Sequence, residues 1–244
     1  MLVIRHKWTS WDSGPLSYAQ PTVLFDAMPR QPDGSTHITE LSESALVQWM
    51  VKQARAKVFS ELGMSHSALY RCEVLEPFYS HTEGDLDLVL WEGDAPQEAV
   101  AVECKRVKVK TLDSNSDNVN KLEDVTQGVR QANRLYDKFA FFQTYLMIMT
   151  AVDASRQDET NIPCRGISST RSPDYGETGT LRKIVEFPEH DTLNPNIGII
   201  FVEFVQPSEV SFERCGSLGF YVHRAAQPRM QLENVTNRLL TLIR

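Results

Sequence analysis

Residues 84–109 read GDLDLVLWEGDAPQEAVAVECKRVKV, and this stretch decides the fold. Two apolar runs within it, 85–91 and 98–109, have the composition and alternation of strands, and the turn-forming residues 93–96 (GDAP) lie between them. The stretch therefore predicts a β-hairpin that forms part of a larger sheet.

Both predicted strands carry charged residues at a spacing of two. Because successive side chains of a strand point to opposite faces, Asp85 and Asp87 are expected to share one face of the first strand. Glu103 and Lys105 are expected to share a face of the second strand in the same way. The residues expected on the reverse faces are Leu86, Leu88, Leu90, Val102 and Cys104. Burial of an ionised group costs several kcal/mol unless the group is paired or bound to a metal, so these charges need a chemical explanation.

Metal-assisted hydrolysis of a phosphodiester fits two acids and a lysine on adjacent strands. Carboxylates are the hard oxygen ligands that Mg²⁺ prefers, and Mg²⁺ keeps several waters and completes its shell with substrate phosphate. A bound metal ion polarises the phosphoryl oxygen and lowers the pKa of a bound water. A lysine beside it can orient the water or stabilise the charge that develops on the phosphate.

The rest of the chain predicts an α/β fold in which a mixed central sheet is flanked by helices. The first predicted helix spans 41–62, is capped by Thr39 or the Ser42 region, and is ended by Gly63. The elements predicted after it are a strand over 68–75, a helix over 122–139, a buried strand over 141–152, strands over 197–205 and 218–223, and a closing helix over 230–243. The first predicted unit is an N-terminal arm, 1–37, which packs on the body or on a partner, or is irregular surface. The second is a domain, 38–244, with a core over 39–152, a polar loop insertion over 153–180, and C-terminal strands and a helix over 197–244.

The charged hairpin resembles the PD-(D/E)xK nuclease superfamily, which has the restriction-endonuclease-like fold. The likeness rests on Asp87 followed by Leu-Val-Leu, and on Glu103-Cys104-Lys105 at the end of an apolar strand, and it spans 39–152. It implies that Asp87 and Glu103 bind Mg²⁺ (or Mn²⁺), that Lys105 is catalytic, and that the backbone carbonyl of Cys104 is an additional metal ligand. The chain departs from the pattern because no proline precedes the acid and no Gln-x-x-x-Tyr motif follows in the next helix.

Four other residues are further candidates for the site. Glu43 lies in the first predicted helix, where members of the superfamily often place a glutamate, although an exposed helix acid is the more usual explanation. Asp85 shares a face with Asp87 and either joins the metal shell or lies at its rim. Gln127 and Gln131 lie one turn apart on the second predicted helix and could contact the site or a nucleic-acid backbone.

The composition sets limits on the partners and the compartment. The net charge is −7, which counts against strong nonspecific binding of nucleic acid by the domain as a whole. Basic residues after the motif could contact phosphates, or could equally be solvated surface: Lys108, Lys110, Lys121, Arg130, Arg134 and Lys138. The four cysteines lie far apart, and no apolar run reaches the ~20 residues of a membrane span, so a cytoplasmic, reducing location without a membrane partner is expected.

The leading prediction is a Mg²⁺-dependent phosphodiesterase that acts as a DNA endonuclease in DNA processing, transposition or defence, with DNA favoured over RNA. An enzyme that cuts duplex DNA needs two active sites, which favours a homodimer. The acidic balance and the irregular ends favour a subunit of a protein–DNA assembly that supplies DNA binding. The alternative is a non-catalytic scaffold of the nuclease fold, or a nucleic-acid-binding subunit of a larger complex. A D-x-D glycosyltransferase reading of Asp85 and Asp87 would require a nucleotide-binding half upstream, for which the sequence gives little support.

Overall fold

The computed structural model describes residues 3–10, 17–25, 41–74, 78, 86–107, 122–153, 188, 192–206 and 216–242. Its strands are β1 (Val3–Ser10), β2 (Ser17–Phe25), β3 (Leu69–Val74), β4 (Leu86–Trp91), β5 (Val100–Val107), β6 (Gln143–Asp153), β7 (Gly198–Gln206) and β8 (Gly216–Arg224). Its helices are α1 (Glu43–Gln53), α2 (Arg55–Glu61), α3 (Leu122–Lys138) and α4 (Glu233–Thr241), with a short 3-10 turn at Pro96–Glu98. The polar insertion predicted over 153–180 lies outside the described residues except for Asp153.

The strands form one mixed sheet, as predicted. Six strands in the spatial order β3-β4-β5-β6-β7-β8 lie between the helices, and β2 and then β1 extend the sheet at the β8 edge. β5 pairs parallel with β6, and β6 pairs parallel with β7, whereas the other neighbours are antiparallel. The parallel strands β5 and β6 are joined through α3, which packs on these two strands on one face of the sheet.

Apolar side chains cover both faces of the sheet. The α1-side core joins α1 and α2 to one face and includes Met50, Val58, Phe59, Leu88, Leu90, Val102, Cys104 and Met147. The α3-side core joins α3 and α4 to the other face and includes Leu86, Val89, Trp91, Ala101, Val107, Val129, Leu135, Leu146, Ile148 and Leu239. The α/β class with a sheet flanked by helices is therefore confirmed. None of the helices in the described ranges is long and apolar enough to span a membrane.

The first predicted helix is two helices in the structure. Ser42 caps α1, since its side chain accepts a hydrogen bond from the N–H of Ala45, as predicted for this region. At Ala54 the backbone leaves helical geometry (φ −118°, ψ 23°), and α2 then begins at Arg55. Gly63 (φ 73°) follows the end of α2, which agrees with the predicted stop.

The N-terminal arm contains regular structure, contrary to the interpretation of an irregular surface. β1 and β2 form an antiparallel hairpin, and β2 also pairs with β8 from Thr22 to Phe25. The described part of the arm thus adds two strands to the sheet. The domain division between residues 37 and 38 stays a prediction.

Candidate active site at the fork between β4 and β5

The candidate site lies where β4 and β5 separate. Their recorded pairing runs from Leu90↔Val100 to Leu88↔Val102. Asp87 precedes Leu88 on β4, and Glu103 follows Val102 on β5, so each lies one residue beyond the last pair. The predicted hairpin is confirmed, and it brings the two acids to the same end of adjacent strands. We call this region the fork.

Two carboxylates replace backbone acceptors along the open edge of β5. Asp87 Oδ2 accepts a hydrogen bond from the backbone N–H of Cys104 at 2.6 Å. Glu43 Oε2, at the start of α1, accepts one from the backbone N–H of Arg106 at 2.5 Å. The N–H groups of residues two apart point to the same edge of a strand. Both acids therefore accept hydrogen bonds along the edge of β5 that no longer pairs with β4. A buried N–H without an acceptor would cost about 1–3 kcal/mol, which these contacts avoid.

Glu103 and Lys105 lie on the α3 side of β5, and Cys104 lies on the α1 side. The position of Lys105 is shown by Gly128 of α3, where an added Cβ would come within 3.1 Å of Lys105 Cβ. Cys104 belongs to the α1-side core. Glu103 is 4% exposed, which is exceptional for a carboxylate that lies in a sheet. The predicted alternation along β5 therefore holds.

The amine of Lys105 reaches back to the fork. Its Nζ lies 3.4 Å from Glu43 Oε1, and the lysine side chain is only 13% exposed. Glu43 thus contacts both the Lys105 amine and the Arg106 backbone, so it ties α1 to β5. Glu43 was a further candidate from the sequence, and the structure brings it together with Lys105.

The electrostatic field at the fork is strongly negative. Burial raises the pKa of the Cys104 thiol well above its usual value, and the negative charges of Asp87, Glu103 and Glu43 raise it further. The pKa of Cys72 on β3 rises to about 11, through burial and then through Glu73 and Asp87. Burial lowers the pKa of the Arg106 guanidinium, while the charge of Glu43 opposes this shift. Both thiols therefore remain protonated at neutral pH, and neither is a candidate nucleophile.

The other predicted residues are less closely associated with the fork. Gln127 is exposed, whereas Oε1 of Gln131 is buried without a hydrogen-bond partner in the described part of the chain. It is Gly128, between them, that packs on Lys105. Asp85 lies outside the described residues, so its place beside Asp87 stays a prediction.

The structure also corrects the expected faces of β4. Leu88 and Leu90 lie in the α1-side core, as one face requires, but Leu86 lies in the α3-side core with Val89 and Trp91. Simple alternation therefore fails across Asp87. The residues that sequence reasoning missed are Gly128, Arg106 and Glu73, and a glycine in the middle of an apolar-faced helix was the one visible signal among them.

The carboxylates at the fork are the type of oxygen ligand that a hard cation such as Mg²⁺ prefers. Among the described residues, no group of three or more His, Cys, Asp or Glu side chains is placed to hold a metal ion. Mg²⁺, however, is commonly bound through one or two carboxylates and retains waters. Asp87 and Glu103 each lie one residue beyond the last recorded β4–β5 pair, and after burial their negative charges are the next causes that raise the pKa of the Cys104 thiol.

Comparison with protein-family models, with curated proteins and with solved structures found no match.

Proposed function

We propose that the chain is a divalent-metal-dependent phosphodiesterase, with DNA as the favoured substrate. The observation that carries this proposal is the buried carboxylate of Glu103 beside Lys105, one residue beyond the last pair that β5 forms with β4. A carboxylate beside an amine at the open end of a hairpin is a hard oxygen donor of the kind that binds Mg²⁺ or Mn²⁺.

In this proposal Asp87 and Glu103 hold the metal ion, and the backbone carbonyl of Cys104 is a further ligand. The bound ion would polarise the phosphate and lower the pKa of a water. Asp87 is oriented by the Cys104 N–H, which fixes one oxygen on the β5 backbone. Lys105 places its amine at the fork and can donate to the phosphate or to the attacking water. Glu43 holds that amine in position.

The order of elements supports a restriction-endonuclease-like core within this proposal. A helical segment (α1 and α2), three strands, a helix and a parallel strand follow one another from Glu43 to Asp153. That is the order which the resemblance to the PD-(D/E)xK superfamily implies. The acids and the lysine occupy the end of the antiparallel hairpin in this arrangement.

A nucleic-acid partner is supported by a line of basic residues on α3. Arg130, Arg134 and Lys138 are spaced four residues apart and are all exposed, so they lie along one side of the helix. α3 also packs on Lys105 through Gly128. Phosphates bound along this side would contact the outer face of the helix that packs on Lys105, and each contact would add to the salt dependence of binding.

The alternative proposal is a non-catalytic scaffold of the same fold. It is favoured by one observation: Asp87 and Glu43 each already accept a hydrogen bond from the β5 backbone, so both acids have a structural role without a metal. The two proposals differ in what they require of Lys105, since a scaffold has no chemical need for its amine.

A cleavage panel with Lys105→Ala separates the two proposals. We expect the wild type to nick or degrade at least one of single-stranded, duplex or branched DNA with Mg²⁺ or Mn²⁺, and the variant to be inactive and folded. Lys57→Ala is a matched control, because Lys57 is 17% exposed and also pairs with a glutamate, Glu61, but lies on α2. Equal inactivity of the wild type and Lys105→Ala on all DNA and RNA substrates would favour the scaffold.

A further inference from the structure

Glu73 has a backbone conformation that is uncommon in a strand. Its φ is 53°, and it is the only non-glycine residue with a positive φ among the described residues. Positive φ is unusual for a residue with a Cβ, apart from Asn and Asp in turns, and Glu73 lies inside β3 rather than in a turn.

Glu73 lies opposite Asp87 in the β3–β4 ladder. The recorded pairs on either side are Cys72↔Leu88 and Val74↔Leu86. The register between β3 and β4 is the same on both sides of Glu73, so neither strand has an extra residue there. The irregularity at Glu73 is therefore not a β-bulge of the usual kind. Glu73 and Asp87 themselves are not a recorded pair, so the left-handed residue interrupts the ladder at this position without shifting its register.

On both β3 and β4, the side chains before and after this position point to opposite faces of the sheet. Cys72 and Leu88 pack on the α1-side core, whereas Val74 and Leu86 belong to the α3-side core. A regular strand would keep residues two apart on one face. The strand pair is thus twisted sharply between them, and Asp87 lies at the centre of the twist.

The twist explains the direction of the Asp87 side chain. In a flat strand, the carboxylate would stand perpendicular to the sheet and could not replace a backbone carbonyl. Here Oδ2 accepts from the Cys104 N–H of the neighbouring strand, so the side chain lies close to the plane of the sheet. We propose that Glu73 is a positioning residue whose left-handed backbone turns β3 and β4 so that the Asp87 carboxylate points into the fork.

The backbone of Glu73, rather than its carboxylate, performs this role. The side chain accepts a hydrogen bond from exposed Gln48 of α1 at 2.8 Å, on the surface. Glycine adopts positive φ without strain, whereas a β-branched residue strongly resists it. The substitution that preserves the site is therefore glycine, although it removes more of the side chain than valine does.

The test compares Glu73→Gly with Glu73→Val, with Arg71→Val as the control for valine at an exposed position of β3. Hydrogen exchange of the Cys104 amide, followed by NMR in metal-free protein, reports the Asp87 contact directly. We expect exchange about tenfold faster or more in Glu73→Val, while Glu73→Gly and Arg71→Val stay close to the wild type. Where Glu73→Val does not fold, Glu73→Thr provides the same β-branched test.

The affinity for Mn²⁺ is the second readout, and it rests on the proposed function. We expect Glu73→Val to weaken Mn²⁺ binding by about tenfold or more, since misplaced supporting groups weaken metal sites by 10–100-fold. A wild type that binds no Mn²⁺ would overturn the proposed function, while the amide exchange would still decide the positioning role. The positioning role would be overturned by an unchanged exchange rate of the Cys104 amide in a folded Glu73→Val, or by faster exchange of that amide in Glu73→Gly.

Discussion

Gly128 gives a direct test of how tightly Lys105 is held. A Cβ added at residue 128 would lie 3.1 Å from Lys105 Cβ, 3.2 Å from Leu146 Cδ1 and 3.3 Å from Lys105 Cγ. Lys105 Cβ is attached to the backbone of β5 and cannot swing away, whereas the end of Leu146 can move slightly. Gly128→Ala therefore pushes α3 away from β5, or pushes the stem of Lys105 toward the fork.

Two opposing effects set the size of the change in stability. Alanine is favoured over glycine inside a helix by about 1 kcal/mol. Overpacking of a well-packed interior costs about 1–3 kcal/mol. The difference predicts that Gly128→Ala lowers the free energy of unfolding by about 0–2 kcal/mol rather than raising it. Gly128→Val, which adds two further methyl groups and β-branching, should lower it more.

Urea unfolding measures the stability change, and the cleavage panel measures the effect on Lys105. We expect Gly128→Ala to lower the cleavage rate more than its small stability change would suggest. Asp137→Ala, on the exposed side of the same helix, is the control. The reasoning is refuted if Gly128→Ala gains the full ~1 kcal/mol of helix propensity and cleaves like the wild type, because Lys105 would then not be confined by α3.

Two further predictions concern groups around the site and the end of α3. The pKa of folded Cys72 is raised from 9.0 to about 11, chiefly by burial and then by Glu73 and Asp87, so the unfolded chain loses this proton first. The free energy of unfolding should therefore fall as the pH rises from 9 to 11, and Cys72→Ala should reduce that slope; an unchanged slope would contradict the buried thiol. Arg229 donates to the carbonyls of Tyr136, Phe139 and Phe141 and stacks 3.6 Å from the Tyr136 ring. Arg229→Met should lower the free energy of unfolding by about 2–3 kcal/mol in urea titrations, with Arg229→Lys intermediate, and equal stability of all three proteins would contradict this role.

The sequence predicted the central elements well because their signals are local. β4, β5 and β6 are apolar runs, and α3 has a clear apolar side. Each of these patterns therefore favours one type of secondary structure. The N-terminal hairpin was missed because Pro21 lies inside β2 and argues against a strand. The pairing of β2 with β8 starts only at Thr22, so Pro21 lies where β2 has a single recorded neighbour.

The geometry of the site was harder to predict because it depends on departures from regular structure. The acids and the lysine could be chosen from their spacing alone, and β5 obeys the expected alternation. β4 does not, because the twist at Asp87 and Glu73 sends Leu86 to the opposite core. Neither glutamate nor aspartate marks such a twist in a sequence, whereas glycine would have done so.

The fork also shows which residue best separates a catalyst from a scaffold. Asp87 and Glu43 accept hydrogen bonds from N–H groups that β5 exposes where β4 departs, so fold stability alone can account for these two half-buried acids. Lys105 satisfies no such group: its side chain is only 13% exposed, and its amine lies 3.4 Å from Glu43 Oε1. An apolar residue at position 105 would avoid holding an amine in a largely buried position, so the proposed chemistry at the fork gives this lysine a role that a scaffold does not.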